Sequence, residues 1–266
     1  MKRITIVVVS MLVLMSATAA EPSRFNALYG ELLQSYWRPK VMIHDIQTTV
    51  FDYAAMQREA GSLIETIAQI LNQTDPEEIS DDNEAKAFWI NVYNFAAIRM
   101  VIDHYPVDSI TSFKISLIKH PWSKKSIRVG GRWYSLSKIE KEVLLKRFDD
   151  PRIIFAVSCA AVSCPDRTAE AFDGSRIETQ LDELIKTFFR NTQKGLSLNR
   201  DSNTLTLAWI LKKDDHLFQD GEKGVVDFVT PYLDQEYQTW LASHQVKVDY
   251  FDHDWTLNDL AQADGK

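Results

Sequence analysis

Asp81-Asp-Asn-Glu84-Ala-Lys-Ala-Phe88-Trp89-Ile90-Asn91-Val92-Tyr93-Asn94-Phe95 is the stretch on which the fold turns. Asp81 followed three residues later by Glu84 is a helix-start pattern, and it predicts a helix running to about His104. Phe88, Trp89, Val92, Phe95, Ile98 and Val101 place apolar side chains nearly all round that helix. A helix without a solvent face belongs in the interior, so the rest of the chain has to wrap it. Asn91 and Asn94 are three residues apart and share one face. Buried amides need hydrogen-bond partners, so this pair either pins a neighbouring loop or orients a ligand or a catalytic group. Tyr93 points elsewhere on the helix, as a core residue with its hydroxyl bonded, and joins the two amides as a candidate binding residue.

Upstream, Phe25, Leu28, Leu32, Leu33 and Tyr36 follow helical spacing, as do Leu63, Ile64, Ile67, Ile70 and Leu71. Residues 21–79 therefore read as an N-terminal helical part, and 80–266 as a core with a C-terminal tail. Downstream, Ser126 to Tyr134 reads as a hairpin turning at Gly130-Gly131. Ser137-x-x-Glu140 caps a short helix that stops at Asp149-Asp150-Pro151. Ile153 to Val157 is an unbroken apolar run and reads as a buried strand. Ser175-x-x-Glu178 opens an amphipathic helix carrying Ile177, Leu181, Leu184, Ile185 and Phe188. Leu196/Leu198 and Leu205/Leu207/Trp209 alternate around Arg200-Asp-Ser-Asn203 as a second hairpin. A helical region from Val225 to Leu241 and a strand from Val246 to Tyr250 follow. Without a βαβ rhythm the pattern is α+β: a single domain with helices at both ends, packed on a mixed or antiparallel sheet built from hairpins.

The start of the chain predicts export. Lys2 and Arg3 precede an uncharged run from Ile4 to Met15, and Ala17 and Ala19 form an A-x-A arrangement before Ala20. That is the layout of a secretory signal peptide over residues 1–20, with a run too short for a span of roughly 20 residues. The expected product is periplasmic or secreted, with no membrane span after cleavage. Losing Lys2 and Arg3 moves the formal charge from −7 to −9, which argues against a phosphate backbone and hence against nucleic acid as a partner.

Both cysteines lie in Arg152-Ile-Ile-Phe-Ala-Val-Ser-Cys159-Ala-Ala-Val-Ser-Cys164-Pro165. An exported chain with two cysteines is a natural place for a disulfide. An extended step of that length, however, separates the Cα atoms by about 16 Å, whereas a bridge needs roughly 4.4–6.8 Å. A bridge thus requires a tight turn within Ala160-Ala-Val-Ser163. Three readings stand: a disulfide, two buried thiols, or a nucleophile, with Cys159 and Cys164 as the candidate catalytic residues. No histidine sits at ligand spacing from them, so no metal is expected, and no cofactor is implied. Asp254-Trp255-x-x-Asn258 follows the final strand. Asp254 can cap a turn, Trp255 can plug the core and Asn258 can tie the tail back. All three are also candidate binding residues.

These same residues carry a family resemblance. Phe88-Trp89-Ile90-Asn91-Val92-Tyr93-Asn94 with Tyr105-Pro-Val-Asp-Ser-Ile110 resembles the opening of the family called domain of unknown function 547. Val129-Gly-Gly131 with Leu136-Ser-Lys-Ile-Glu140 resembles its middle. Asp150-Pro-Arg-Ile153, Phe155-Ala and Ser163-Cys-Pro165 resemble its cysteine segment, and Asp254-Trp255-Thr-Leu257-Asn258 its C-terminal signature. The resemblance spans about residues 80 to 260. The family has no established activity, so it implies a scaffold more than a reaction. Lys141 and Ile154 stand where relatives usually carry histidine, and Thr168 where an arginine is common. A thiol with a pKa near ~8.5 needs a base, and a lysine or an isoleucine at those positions supplies none. His216 or His253 can replace the missing histidines only through the fold. Two function classes follow. The first is an exported binding or accessory protein recognising a cell-envelope ligand or protein. The alternative is a cysteine-dependent hydrolase or acyltransferase of papain-like or transglutaminase-like logic.

Overall fold

The computed structural model describes residues 21–116 and 120–265; the signal-peptide reading of residues 1–20 lies outside them. The central helix, α4, runs Asp82–Ile102, and from Ala85 to Val101 every residue except Arg99 is buried. Its start is set as the sequence predicts: the Asp81 carboxylate accepts from the backbone N–H groups of Asn83 and Glu84. In chain order the elements before it are α1 (Glu21–Tyr36), β1 (Trp37–Ile43), β2 (Ile46–Phe51), α2 (Tyr53–Glu59) and α3 (Gly61–Gln73). Helix α1 lies against α4 through Phe25 on Phe88 and Phe95, with ring centroids 5.7 and 6.4 Å apart, and through Tyr29 on Phe95. Each such fully buried ring contributes roughly 1.5–3 kcal/mol by leaving water.

After α4 come β3 (Lys125–Val129) and β4 (Arg132–Ser135), then a helix α5 over residues 136–148 whose middle, Ile139–Leu145, is π-helical. The Ser135 hydroxyl, not that of Ser137, caps it by accepting from the Lys138 N–H. One helical turn, α6 (Ile153–Ala156), leads into the cysteine segment. Then follow α7 (Ile177–Phe189), β5 (Leu196–Asn199), β6 (Thr204–Leu207), α8 (Trp209–Lys213), α9 (Glu222–Val229), α10 (Gln235–Ser243) and β7 (Lys247–Tyr250).

The α+β expectation holds, with the strands divided among three small sheets. β1–β2 and β3–β4 are antiparallel pairs, while β5–β6 is antiparallel and β6–β7 parallel. The helices close around α4, and the small sheets border them. Two departures from the sequence reading matter here. The stretch 21–79 contains a hairpin as well as helices. The run expected to be a strand at Ile153 to Val157 is the buried turn α6, because the Asp150 carbonyl accepts from Ile153 N–H and starts helical bonding.

The charged residues of α4 are also anchored. Lys86 Nζ lies 3.0 Å from Asp150 and 3.1 Å from Glu178, and Arg152 completes the network through Asp150, Glu178 and Asp182. This joins α4, the entry to α6 and the start of α7 at one point, buried at Lys86 and Asp150 and open at Glu178 and Asp182, and the two cations hold the Asp150 carboxyl below its usual range despite burial.

Gly195 sits where α7 hands over to β5. A Cβ there would come within 2.0 Å of the Phe188 carbonyl oxygen. Backbone is in the way, not the tip of a flexible side chain. We expect Gly195→Ala to lower stability by about 1–3 kcal/mol, read as a shifted urea midpoint with an unchanged slope.

Candidate functional site

The cysteine segment is held from one side by Asn94. Its Nδ2 donates to the Ala156 carbonyl at 2.8 Å, and its Oδ1 accepts from Ser158 N–H at 3.1 Å. One turn earlier, Asn91 clamps Phe172 in the same way, donating to its carbonyl and accepting from its N–H; it also donates to Asn26. Both amides are therefore fully used in fixing backbone on either flank of the cysteine loop, a pattern that an α-helix produces from residues three apart.

Cys159 and Cys164 are bridged, with Cα atoms 6.3 Å apart. The turn that permits this is at Ala160, whose φ of +60° reverses the chain. From the other side, residues 254–258 run antiparallel to the loop. Val162 N–H donates to Thr256 O, Asn258 N–H to Ala160 O, and Asp254 N–H to the Ser163 hydroxyl. Asn258 Oδ1 accepts from the buried Tyr53 hydroxyl at 3.1 Å. The Asp254 carboxylate accepts from Thr256 N–H and lies 2.8 Å from the exposed His44 Nδ1.

The sulfurs have one imidazole neighbour among the described residues. A ring nitrogen of His253 and the two sulfurs lie within 4.8 Å of one another, although neither nitrogen of that ring has a hydrogen-bond partner. The ring is wedged between Trp209 and Trp255, with centroids at 4.5 and 4.1 Å. Trp255 continues the cluster to Trp122, which lies beside the buried Tyr93 hydroxyl. Burial pushes the His253 pKa down to about 4; the nearby Asp254 charge opposes this, and Lys213 and Lys194 add to it. The ring is thus neutral at neutral pH, and it could serve as a metal ligand if the sulfurs were thiolates; titrating near 4, it is poorly matched to taking a thiol's proton. The sequence argument against a metal, that no histidine sits at ligand spacing, does not carry over to three dimensions.

Lys141 is exposed and Ile154 is fully buried, so neither brings a base to the sulfurs. Glu140, beside Lys141, is buried together with Asp214 around Lys213 Nζ, each at 3.0 Å. Burial alone would lower the Lys213 pKa, but the two carboxylates outweigh it and raise it.

Two cations that the sequence reading did not single out organise the far side of the loop. Lys194, 1 % exposed, points its ammonium at the Thr48 hydroxyl, the Val162 and Cys164 carbonyls and Asp166 Oδ1, all between 2.7 and 3.0 Å. Arg167, also buried, donates from Nη1 to the Tyr29 hydroxyl and from Nη2 to the Ser158 carbonyl, both at 3.2 Å. It lines a water-sized inner pocket of about 10 Å³ with Asn91, Asn94 and Ser158. It also lines the floor of an open cleft of about 770 Å³ between the β1–β2 hairpin and α7. The only sequence signal for either residue was the position of Asp166-Arg167 directly after Cys164-Pro165.

The structure therefore gathers Asn94, Asp254, Trp255, Asn258 and the cysteine pair on one loop, reaches Tyr93 through Trp122, and places Asn91 one turn away beside the inner pocket. Residues 76–189 match the family model described as protein of unknown function, DUF547. No curated protein and no solved structure matches the chain.

Two outcomes follow from this geometry. Asn94→Leu removes both bonds to the loop and strands the Ala156 carbonyl and the Ser158 N–H, so we expect a loss of about 1–3 kcal/mol in urea unfolding. His253 titrates near 4 when folded against an ordinary 6.5, so between those values the unfolded chain binds the extra proton. Its contribution is fully present above about pH 6.5 and is lost as pH falls towards 4, amounting to about 1–2 kcal/mol once its partial exposure is discounted. The slope of stability against pH in that window should be shallower in His253→Asn than in the parent.

Proposed function

We propose that this chain, whose residues 76–189 match the DUF547 family model, is an exported binding or accessory protein of the cell envelope, working through the cleft between the β1–β2 hairpin and α7. The carrying observation is that cleft. Its volume of about 770 Å³ falls in the range of ligand sites, roughly 300–1,000 Å³. Part of its lining is held in place: Asn91 bonds the Phe172 backbone, and Lys194 ties Thr48 to Asp166. The bridge supports the same reading from the other side: a sulfur in a disulfide is not a thiolate and attacks nothing. Export rests on the layout of residues 1–20, and placement in the periplasm or outside the cell follows from it.

One observation favours the alternative, a cysteine-dependent hydrolase or acyltransferase: the neutral His253 imidazole beside both sulfurs. That chemistry needs the bridge opened first, because only a free thiol can pass its proton to the ring.

A single experiment addresses both readings: intact mass of the secreted protein after exposure to a thiol-selective alkylating agent at neutral pH without reductant. We expect a chain beginning at Ala20 or Glu21 and carrying no alkyl group. A product retaining Met1 to Met15 would defeat export. Rapid alkylation of one cysteine in the native protein, slowed by His253→Asn, would overturn the binding reading in favour of the enzyme.

A further inference from the structure

Three cations are buried among the described residues: Lys86, Lys194 and Arg167. Lys86 has Asp150 and Glu178, and Lys194 has Asp166. Arg167 forms no ion pair among the described residues. Its two bonds go to neutral oxygens, the Tyr29 hydroxyl and the Ser158 carbonyl, and its Nε has no partner. The Ser158 hydroxyl, 2 % exposed and lining the same inner pocket, has no partner either. A guanidinium presents five N–H groups in a planar fork matched to a carboxylate, and here three of them are uncommitted. The other buried cations show that this fold supplies a carboxylate wherever it needs one. At Arg167 it supplies none and opens a cleft instead.

The rest of the residue is fixed. Arg167 N–H donates to the Thr49 hydroxyl at 2.9 Å, and its carbonyl accepts from the Trp37 indole at 2.8 Å. The charge is therefore held in place before any ligand arrives, which is what preorganised anion recognition requires.

We propose that Arg167 is the anchor for a carboxylate carried by a small organic ligand that enters through the cleft it lines. The carboxylate supplies the missing counter-charge, and the fork binds it through charge-assisted hydrogen bonds. The body of the ligand lies along the cleft, whose walls carry Gln47, Thr49 and Thr187 beside charged residues of both signs, Arg176 and Arg190 against Glu170 and Glu183. Such a lining suits a peptide-like or acylamino body. This inference rests on the cleft being the binding site and names the chemistry that it selects.

The test is calorimetric titration of the disulfide-intact mature protein at neutral pH with N-acetylalanine and with its neutral isostere N-acetylalaninamide. The acid should bind and the amide should not. Arg167→Gln should weaken the acid by about tenfold or more, the scale of losing one charge-assisted pair. Because Arg167 is buried and a failure to fold would mask its role, Thr168→Glu serves as the second variant: position 168 is exposed, and the new carboxylate should compete at the mouth to similar effect. Equal binding of acid and amide would overturn the carboxylate assignment while leaving the cleft as a binding site. No binding of the acid, or binding unchanged in Thr168→Glu, would overturn the assignment and leave Arg167 a structural residue bonded to a trapped water.

Discussion

A buried ammonium without partners costs several kcal/mol, and Lys194 avoids this only because four oxygens converge on it. Those oxygens come from places far apart in the chain: Thr48 on the first hairpin, and Val162, Cys164 and Asp166 on the cysteine loop. The ammonium therefore fixes the distance between hairpin and loop, and with it the floor of the cleft. Burial lowers its pKa while Asp166 pulls the other way, so the charge persists only as long as Asp166 stays close. Thr48 Oγ1 and Thr49 N–H complete the hold on Asp166.

The loop is thereby constrained from three directions. Asn94 reaches it from the central helix, Lys194 from the approach to β5, and residues 254–258 from along its length. The disulfide closes a turn already determined by these contacts. Arg167 leaves the loop at its far end with its backbone locked and its charge unanswered, which distinguishes this end from the aromatic cluster around His253 at the other. One short segment thus has two faces of different chemistry: an apolar one, where an imidazole is kept neutral, and a polar one, where a guanidinium lacks an anion among the described residues.

Some of this was legible in the sequence. The central helix declared itself because apolar side chains on all sides leave no other place for it, and Asp81 marked its start. The two amides had to be bonded for the same reason, and Asn94 does reach the cysteine segment. The first hairpin was not legible. Its strands are interrupted by Pro39 and a register shift between Arg38 and Val41, and its turn uses His44-Asp45, both at positive φ, where Asn-Gly is the usual signal. Ile153 to Ala156 misled because a short apolar run has no periodicity to tell a strand from a buried helical turn. Lys194 and Arg167 look like ordinary surface charges when read alone; only the chain folding over them makes them interior. His253 lies far from the cysteines in sequence, so spacing held no trace of their meeting.

The segment 254–264 also bears on how the molecule is made. It contributes Asn258 O to Phe51 N–H, the Asp264 carboxylate to the turn of the first hairpin, and Leu257 to an antiparallel bridge with Ala161. The hairpin is therefore completed by residues synthesised some two hundred positions later. Loop closure over such a span is slow, and a chain emerging in order cannot finish its first strands until this segment is available. Until then the edge of the hairpin is open and the cysteine turn lacks one of its walls. If the chain is exported, as proposed above, that ordering would keep the final fold out of reach during synthesis, when a compact domain would be an obstacle to threading.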